Sequence, residues 1–334
     1  MPLVPLEPRK MVASLLALAA LASLMPLCAD AQSTAYPVKP VRVICPFPAG
    51  GGLDILLRAM LAKMSENMKA SFIIETRAGA NGIIGMDAGA KATPDGYTLI
   101  SGTTGTVTIN PSVQPKMPFD AMRDIAPITN MGEAPFLLVS HPSLNARNVR
   151  ELIALAKRRP DELNYGSPGV GGTNHLGAEL FSQSAGIRMT HVVFKGSQPM
   201  LVDIMGGHVM MGFDSLQATL PHIKSGRLRA LGIGAEKRST VAPEIPTIAE
   251  SGGPAGFILG SWYGFFAPAN VPADIMTKLH AEAVKALSHP DLRERYLAMG
   301  VMPIGDTPEQ FAATIRNDTA RWAKVVRTAK LRIE

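Results

Sequence analysis

Residues 41–54 read VRVICPFPAGGGLD, and this stretch decides the fold class of the chain. Its apolar, β-branched start is typical of a buried strand, and its Pro- and Gly-rich middle is typical of a tight loop. Apolar residues then recur at helical spacing from Leu53 to Leu61. A strand that passes through a glycine loop into a helix is the repeating unit of an α/β protein.

A second stretch repeats this arrangement in the other half of the chain. Residues 164–175 read NYGSPGVGGTNH, and the helical pattern that follows carries Leu176, Leu180 and Phe181. Further strands are predicted at 72–75, 97–101, 136–140, 190–194, 209–213 and 229–233. The strands alternate with helical segments, and the final stretch of the chain, which starts at Trp262, is predicted to be largely helical. We therefore expect parallel sheets with helices on their faces.

Both glycine loops are suited to holding an anion. The first helical N–H groups have no intrahelical partner, and the helix dipole favours negative charge there. Glycines let the backbone approach a ligand closely. In open α/β sheets, ligands lie beyond the carboxyl ends of the strands, which is where both loops are predicted. Either loop taken alone is equally consistent with a simple tight turn.

Composition excludes several classes of function. The chain is 46% hydrophobic, 18% charged and 5% aromatic, which indicates a folded protein rather than a disordered one. The formal net charge of +6 includes no Lys/Arg run of the kind that binds nucleic acid. This charge suits an anionic small molecule and equally well serves solubility. We expect no nucleic-acid partner.

Residues 1–31 are predicted to be a cleaved signal peptide. Arg9 and Lys10 precede an apolar run, and residues 29–31 (Ala-Asp-Ala) match the small-residue pattern at a cleavage site. Cys28 allows a lipoprotein alternative, although the preceding Leu27 is bulky for such processing. Cleavage leaves one cysteine, so no intrachain disulfide is expected.

Motifs for catalysis or cofactors are incomplete. The second loop nearly matches a P-loop, but Gly172 stands where the lysine is required. No Ser lies in a G-x-S-x-G motif. His175 and Glu179 are one helical turn apart without a third ligand, so a local hydrogen bond from the histidine is favoured over a metal site. We expect no cofactor, no metal and no enzymatic activity.

Beyond these loops, the mature chain resembles the receptors of tripartite tricarboxylate transporters, the Bug family of solute-binding proteins. The matching pieces occur in the family's order: Val41-Arg42, Phe47-Pro-Ala-Gly-Gly-Gly-x-Asp54, Arg77-Ala-Gly-Ala, Pro94-Asp-Gly-Tyr-Thr98, Ile109-Asn-Pro111, Tyr165-Gly-Ser-Pro-Gly169, His175-Leu-x-x-Glu179, Lys195-Gly196, Phe213-Asp214, Pro246-Thr247 and Trp262-x-Gly264. Two positions depart from the family pattern: Thr76 replaces a usual Asn, and Gly172-Thr173 stands near a usual Ser.

The resemblance implies a type II periplasmic binding protein fold: an α/β protein of two Rossmann-like lobes with a ligand cleft between them. It places residues 36–135 and 252–334 in lobe 1 and residues 136–251 in lobe 2. It also implies a periplasmic monomer that takes a small carboxylate from solution and delivers it to the membrane permease subunits of the transporter.

In such receptors the two loops hold one carboxylate of the ligand, largely through backbone amides. Carried over to this sequence, the binding residues are Phe47, Pro48, Ala49, Gly50, Gly51, Asp54, Ser167, Gly169, Thr173, Asn174 and His175, with Thr103 and Thr104 as further candidates. Asp214 is expected either to face the far end of the ligand or to cap a helix. Lys195 either contacts the ligand or is solvated, and Trp262 is expected to pack between the lobes.

Two alternatives to a transport receptor stay open on sequence grounds. A ligand-sensing subunit that signals to a membrane histidine kinase would use the same cleft. An enzyme on this fold, such as a hydrolase, is the third hypothesis. The identity of the carboxylate is also open, because the shared loops recognise only one carboxylate group.

Overall fold

The computed structural model describes residues 36–114 and 116–329. By its internal contacts the chain divides into Met1–Tyr36 and Pro37–Glu334, and everything described below lies in the second unit. The signal-peptide prediction for residues 1–31 falls outside the described residues. Of the described helices, none is long and apolar enough to cross a membrane.

The described chain alternates strands and helices through most of its length. The strands are β1 (Val41–Cys45), β2 (Phe72–Thr76), β3 (Thr98–Thr103), β4 (Ile125–Ser140), β5 (Asn164–Ser167), β6 (Thr190–Val193), β7 (Met211–Ser215), β8 (Arg229–Ile233), β9 (Gly260–Pro268) and β10 (Met302–Pro303). The α-helices are α1 (Gly52–Met68), α2 (Ile83–Ala90), α3 (Asn110–Val113), α4 (Val149–Arg158), α5 (Thr173–Ala185), α6 (Ser197–Met205), α7 (Leu216–Lys224), α8 (Ala273–Ser288), α9 (Pro290–Ala298) and α10 (Pro308–Ala329).

The strands follow the order β2-β1-β3-β9-β4-β7-β5-β6, with β8 and β10 pairing the long strand β4. β1 is parallel to β2 and β3, and β5 is parallel to β6 and β7. The strand β9 runs antiparallel to both β3 and β4. β4 pairs with β9 as far as Pro135 and with β7 from Phe136 onward.

This topology brings the loops after the strands together. Because β1 and β3 are parallel neighbours, the segments that follow Cys45 and Thr103 emerge at one edge of the sheet. The same holds for the segments after β5, β6 and β7, which begin α5, α6 and α7. The two groups of helix N-termini are the structural basis of the candidate site.

Three apolar clusters form the core. One packs Met86, Ile100, Trp262, Phe266 and Phe311 around β3 and β9. Another packs side chains of α6, α7 and β8. The largest includes side chains from β4 to β7 and also from the end of α10. The C-terminal helix therefore contacts residues of both groups of strands.

Most of the predicted elements are present, and the differences have a physical reason. The predicted parallel pairing is present among β1, β2 and β3 and among β5, β6 and β7, but β9 is antiparallel to β3 and β4, so the sheet as a whole is mixed. Residues 136–140 form only the end of a strand that begins at Ile125. The strand predicted at 97–101 is longer than expected, because β3 extends to Thr103, where a π-helical turn (Gly105–Ile109) follows. The direction and length of a strand depend on the strands it pairs with, which lie far away in sequence, so local sequence patterns do not predict them.

The last helix has a side-chain cap at its N-terminus, where Thr307 is of a residue type favoured at that position. The Gln310 N–H donates to Thr307 Oγ1 at 3.2 Å, and the Thr307 N–H donates to Gln310 Oε1 at 3.0 Å. This reciprocal pair is a capping box, which satisfies two N–H groups at the helix start. Cys45 is a buried free thiol whose pKa is raised by burial, as is typical of an inert core cysteine.

Candidate ligand-binding site

The loop between β1 and α1 is held by Asp54, the third residue of the helix. The Gly50 N–H donates to Asp54 Oδ2 at 2.8 Å, and Arg58 Nε donates to the same oxygen at 2.9 Å. Burial alone would raise the pKa of this carboxyl, but the hydrogen bonds from Arg58 and Gly50 outweigh it, so the pKa is lowered. Gly50 has φ 79°, a left-handed conformation that favours glycine. The Asp54 carboxylate thus fixes the loop rather than reaching out of it.

The start of α1 leaves backbone donors unused. Gly51 is the N-cap residue and has no side chain to cap the helix. Among the described residues, the N–H groups of 52–54 have no hydrogen-bond partner. Residues 48–51 are exposed and Phe47 is half-buried. The first turn of α1 therefore offers donors for an anion.

The second loop rests on a buried polar layer. Ser167 Oγ donates to Gly169 O at 2.9 Å and lies 2.7 Å from His191 Nε2, which is therefore the protonated nitrogen of that ring. The ring of His191 stacks on His175 with centroids 3.9 Å apart. Tyr165 also stacks on His191, with ring centroids 4.9 Å apart. The Ser167 hydrogen bonds and the stacked rings therefore hold the start of the second loop in place.

His175 has the local role that the sequence favoured. The Gly171 N–H donates to His175 Nδ1 at 2.9 Å, and the Tyr165 hydroxyl donates to Glu179 Oε1 at 2.5 Å. Burial lowers the pKa of His175 to about 4, and burial together with the neighbouring His175 lowers the pKa of His191 to about 4. Both rings are therefore neutral near pH 7. In the described part of the chain, no group of three or more His, Cys, Asp or Glu side chains is placed to hold a metal ion.

The start of α5 has the same features as the start of α1. Its N-cap Gly172 also lacks a capping side chain, and the N–H groups of 173–175 have no partner within the described residues. The Asn174 side chain is already used, because Nδ2 donates to Phe213 O at 2.8 Å. Thr173 is buried, whereas Gly169 is half-buried. Both predicted loops therefore present the same kind of donor: a backbone amide at a glycine-capped helix N-terminus.

The second loop lies close to the β3 side of the molecule. A Cβ on Gly105 would lie 3.5 Å from Thr173 Oγ1, and a Cβ on Gly172 would lie 3.9 Å from Asn81 Oδ1. The Asn81 side chain is fixed by Asn110, since its Nδ2 donates to Asn110 Oδ1 at 2.8 Å. The N-terminus of α5 thus faces the turn before α2 and the segment after β3.

The start of α1 lies against α7. A Cβ on Gly52 would collide with the side-chain amide nitrogen of Gln217, whose Nε2 donates to Tyr263 Oη at 3.3 Å. Tyr263 is aligned with Thr103 at the end of β3. Burial and the nearby Asp214 carboxylate raise the pKa of Tyr263. Gln217 is therefore the side chain from the β7–α7 side that contacts the first glycine loop.

Asp214 lies at the end of β7 with 4% of its surface exposed. Its carboxylate accepts hydrogen bonds from the Ser197 hydroxyl and from the Ser215 N–H, the latter at 2.7 Å. Burial raises its pKa to about 6, although the hydrogen bonds from Ser197, Ser215 and Asn174 act in the opposite direction. Asp214 thereby ties the starts of α6 and α7 to the second loop.

The remaining candidates have other surroundings. Thr104 is buried, and its Oγ1 accepts a hydrogen bond from the Trp262 N–H at 3.0 Å. Thr103 is half-buried and bonds within its own turn to Thr106. Trp262 is buried against Phe311 and donates through Nε1 to Asp318 at 2.8 Å, which makes it a packing residue. Lys195 is exposed at the end of β6.

Four residues around the loops were missed by the sequence analysis. They are Asn81, His191, Gln217 and Tyr263. Asn81 lies in the glycine-rich turn at 79–82 with φ 51°, and nothing in that local sequence indicates that its side chain lies near the second loop. His191 lies in a predicted strand, where nothing distinguishes it from a core residue. Gln217 and Tyr263 reach the first loop only through tertiary structure, so no local pattern indicates them.

The arrangement favours binding over nucleophilic chemistry. The side chains of Asp54, Thr104, Ser167, Asn174, His175 and Asp214 are all engaged in internal hydrogen bonds. Ser167 is fully buried and already donates its proton to Gly169 O, so its pairing with His191 does not expose a nucleophile. The donors left unused are the backbone N–H groups of 52–54 and 173–175, which suit a carboxylate, whereas Asp54 Oδ1 and Gln217 Oε1 are buried acceptors without a partner among the described residues.

Comparison with known proteins identifies the family. The sequence model described as "Tripartite tricarboxylate transporter family receptor" (TctC) matches residues 56–331. The chain belongs to the TctC family. The match begins just after the first glycine loop and includes the second. Against Protein BugT of Bordetella pertussis, the chain is 35% identical over 302 residues, which are 90% of this chain and 92% of BugT.

Solved structures of similar proteins have the same fold. A Rhodopseudomonas palustris protein, Rpa4515 with adipate, has a TM-score of 0.84 and 35% identity, covering 89% of this chain and all of that one. MatC from the same organism, with bound malate, has a TM-score of 0.79 and 31% identity over 87% of this chain and all of MatC. The periplasmic binding protein BugD has a TM-score of 0.80 at 27% identity, covering 89% of this chain and all of BugD. The predicted α/β periplasmic binding protein fold is thus confirmed.

Proposed function

We propose that this protein is an exported receptor that binds a small carboxylate and delivers it to the membrane permease subunits of a tripartite tricarboxylate transporter. The observation that carries the proposal is the pair of glycine-capped helix N-termini, at 52–54 and 173–175, whose amides are unused within the described residues. The proposed location is the periplasm, after removal of the predicted signal peptide.

Physical chemistry favours a carboxylate in such a place. A carboxylate loses strong hydration when it leaves water, so its site must supply several preformed donors. Backbone N–H groups at a helix start are such donors, and the helix dipole adds to their effect. Because the amides belong to the folded backbone, little conformational entropy is lost when they bind.

Related TctC proteins support the same ligand class. Rpa4515 and MatC, with 35% and 31% identity, have structures with adipate and with malate. Both ligands are small organic acids that differ in their distal groups. A shared carboxylate site combined with variable distal contacts accounts for this difference.

We further propose that the protein closes around its ligand. The predicted lobes are 36–135 with 252–334, and 136–251, and β4 changes its partner strand between Pro135 and Phe136. One glycine loop belongs to each lobe, so only a closed form would satisfy the carboxylate from both sides. The closed form is the shape that the permease would recognise, and the ligand would leave it chemically unchanged.

The amides can be tested at Thr173, the first residue of α5. Proline is favoured at this helix position, and Gly172 before it is already extended with ψ 169°, as a residue before proline must be. T173P removes the N–H and the hydroxyl, whereas the matched variant T173V removes the hydroxyl alone. We expect T173P to bind about 10-fold more weakly than T173V, the usual effect of losing a charge-assisted hydrogen bond.

The assay begins with a thermal-shift screen of organic acids on the mature wild-type protein. Calorimetry on the acids that raise the midpoint then gives affinity and stoichiometry for wild type, T173V and T173P. Uptake of the same acid by cells lacking the protein should be restored by the wild type and less well by T173P. Equal affinity of T173P and T173V would refute the role of the amide, and turnover of the acid would refute a receptor.

A further inference from the structure

Gln217 lies against the position proposed for the carboxylate. It is the second residue of α7, and its amide nitrogen occupies the space that a Cβ on Gly52 would need. Glycine at position 52 therefore allows the carboxamide to lie directly on the first turn of α1. The unused amides of 52–54 belong to that same turn.

The carboxamide of Gln217 is only partly paired. Nε2 donates to Tyr263 Oη at 3.3 Å, a long hydrogen bond, while Oε1 is buried and has no partner among the described residues. Buried polar atoms are nearly always paired in folded proteins, and an unpaired one is destabilising. A group on a bound ligand would supply the missing partner.

The surroundings of Gln217 favour a neutral partner. Asp214, which lies near Tyr263, interacts with hydroxyl, amide and backbone donors, and within the described residues no cation neutralises it. A second carboxylate at this position would meet a buried acid, and Arg58, the basic residue on the first turns of α1, is already paired through its Nε with the Asp54 carboxylate.

We propose that Gln217 is a specificity-determining residue that selects carboxylic acids with a hydroxyl group on the carbon next to the carboxylate. The inference rests on the proposed function, which places the carboxylate on the amides of 52–54. A hydroxyl on the adjacent carbon is then within reach of a carboxamide that contacts Gly52. It both donates and accepts, so it pairs with the carboxamide in either orientation of the amide.

An ammonium group in the same place is disfavoured. Burying a cation requires an anionic partner, and Gln217 is neutral. The two oxygens of Asp214 already accept hydrogen bonds from Ser197 and Ser215. A 2-amino acid is therefore expected to bind more weakly than the corresponding 2-hydroxy acid.

Matched ligands test the inference by calorimetry on the full mature protein. The probes are malate against succinate, 2-hydroxyglutarate against glutarate, and lactate against propionate, with aspartate as the amino analogue of malate. In the pair of acids that binds most tightly, the hydroxy acid should bind at least about 10-fold more tightly than the plain acid. This is the effect expected when a buried polar atom gains a partner. Q217M keeps the side-chain length without the amide, and Q183M makes the same change at the exposed Gln183 on α5.

The outcomes separate this inference from the proposed function. The expected result is a hydroxyl preference in wild type and Q183M that falls to within about 3-fold in Q217M. Equal binding of hydroxy and plain acids by wild type would overturn the inference and leave the receptor function intact, whether or not Q217M folds. A preference that persists in folded Q217M, or tighter binding of aspartate than malate, would also overturn it. Failure of every acid to bind would refute the receptor proposal and the inference together.

Discussion

Replacing Asp214 by Asn should change how the stability of the protein depends on pH. Burial raises the pKa of Asp214 from 3.8 to about 6. Between these values the folded protein holds a proton that the unfolded chain releases, so this group stabilises the fold at low pH. Its contribution is complete below pH 3.8 and is lost as the pH rises through about 6.

The magnitude follows from the size of the pKa change. One pKa unit corresponds to about 1.4 kcal/mol, so the difference between 3.8 and about 6 corresponds to about 3 kcal/mol. The residue is 4% exposed, so solvent screening reduces this value little. Asn can accept from the Ser215 N–H and donate to Ser197, but it does not titrate. The free energy of unfolding of D214N should therefore rise by about 3 kcal/mol relative to that of wild type between acid and neutral pH.

The assay is urea unfolding of wild type and D214N, followed by tryptophan fluorescence from about pH 4 to about pH 8. The difference in the free energy of unfolding between the two proteins isolates Asp214, because all other groups titrate in both. E236Q removes an exposed carboxylate and should follow wild type at every pH. If the free energies of unfolding of wild type and D214N changed with pH in the same way, the reasoning would be refuted. It would also be refuted if D214N became less stable relative to wild type as the pH rises.

Three further variants test the packing around the site. T104V removes the acceptor of the buried Trp262 N–H and should lower the free energy of unfolding by about 1 to 3 kcal/mol, whereas T104S keeps the hydroxyl and should cost much less. H191L removes the donor to Ser167 and should cost about 1 to 3 kcal/mol in the same urea assay. G52A places a methyl group against Gln217 and should weaken carboxylate binding about 10-fold or more in calorimetry, with little loss of thermal stability because alanine favours the helix. An unchanged affinity would mean that the carboxamide can move away freely.

Local sequence patterns predicted the parts of the fold that local physics determines. The strand, glycine loop and helix at 41–68 follow from a β-branched run, a glycine cluster and a helical repeat, and the structure has all three. The role of His175 was predictable for the same reason, because a histidine in the first helical turn can reach back to the N–H of Gly171. The antiparallel course of β9 was not predictable, since it depends on pairing with strands far away in sequence.

The candidate site likewise has parts that the sequence predicted and parts that depend on tertiary structure alone. The two sets of helix N-termini were predicted from glycine loops at strand ends, and the family resemblance added the residues around them. Gln217 and Tyr263 contact the first loop through tertiary structure alone. The resemblance also could not indicate which side-chain atoms are engaged internally. In the structure, Asp54 Oδ2 and Asn174 Nδ2 hold the loops themselves.

A crystal structure of the mature protein with the acid that gives the largest thermal shift would test the central claim most directly. The account predicts that oxygens of one carboxylate lie about 2.7 to 3.2 Å from backbone nitrogens of both 52–54 and 173–175, or one ordered water away. A carboxylate held by a Lys or Arg side chain, or by only one of the two helix N-termini in a closed protein, would contradict it.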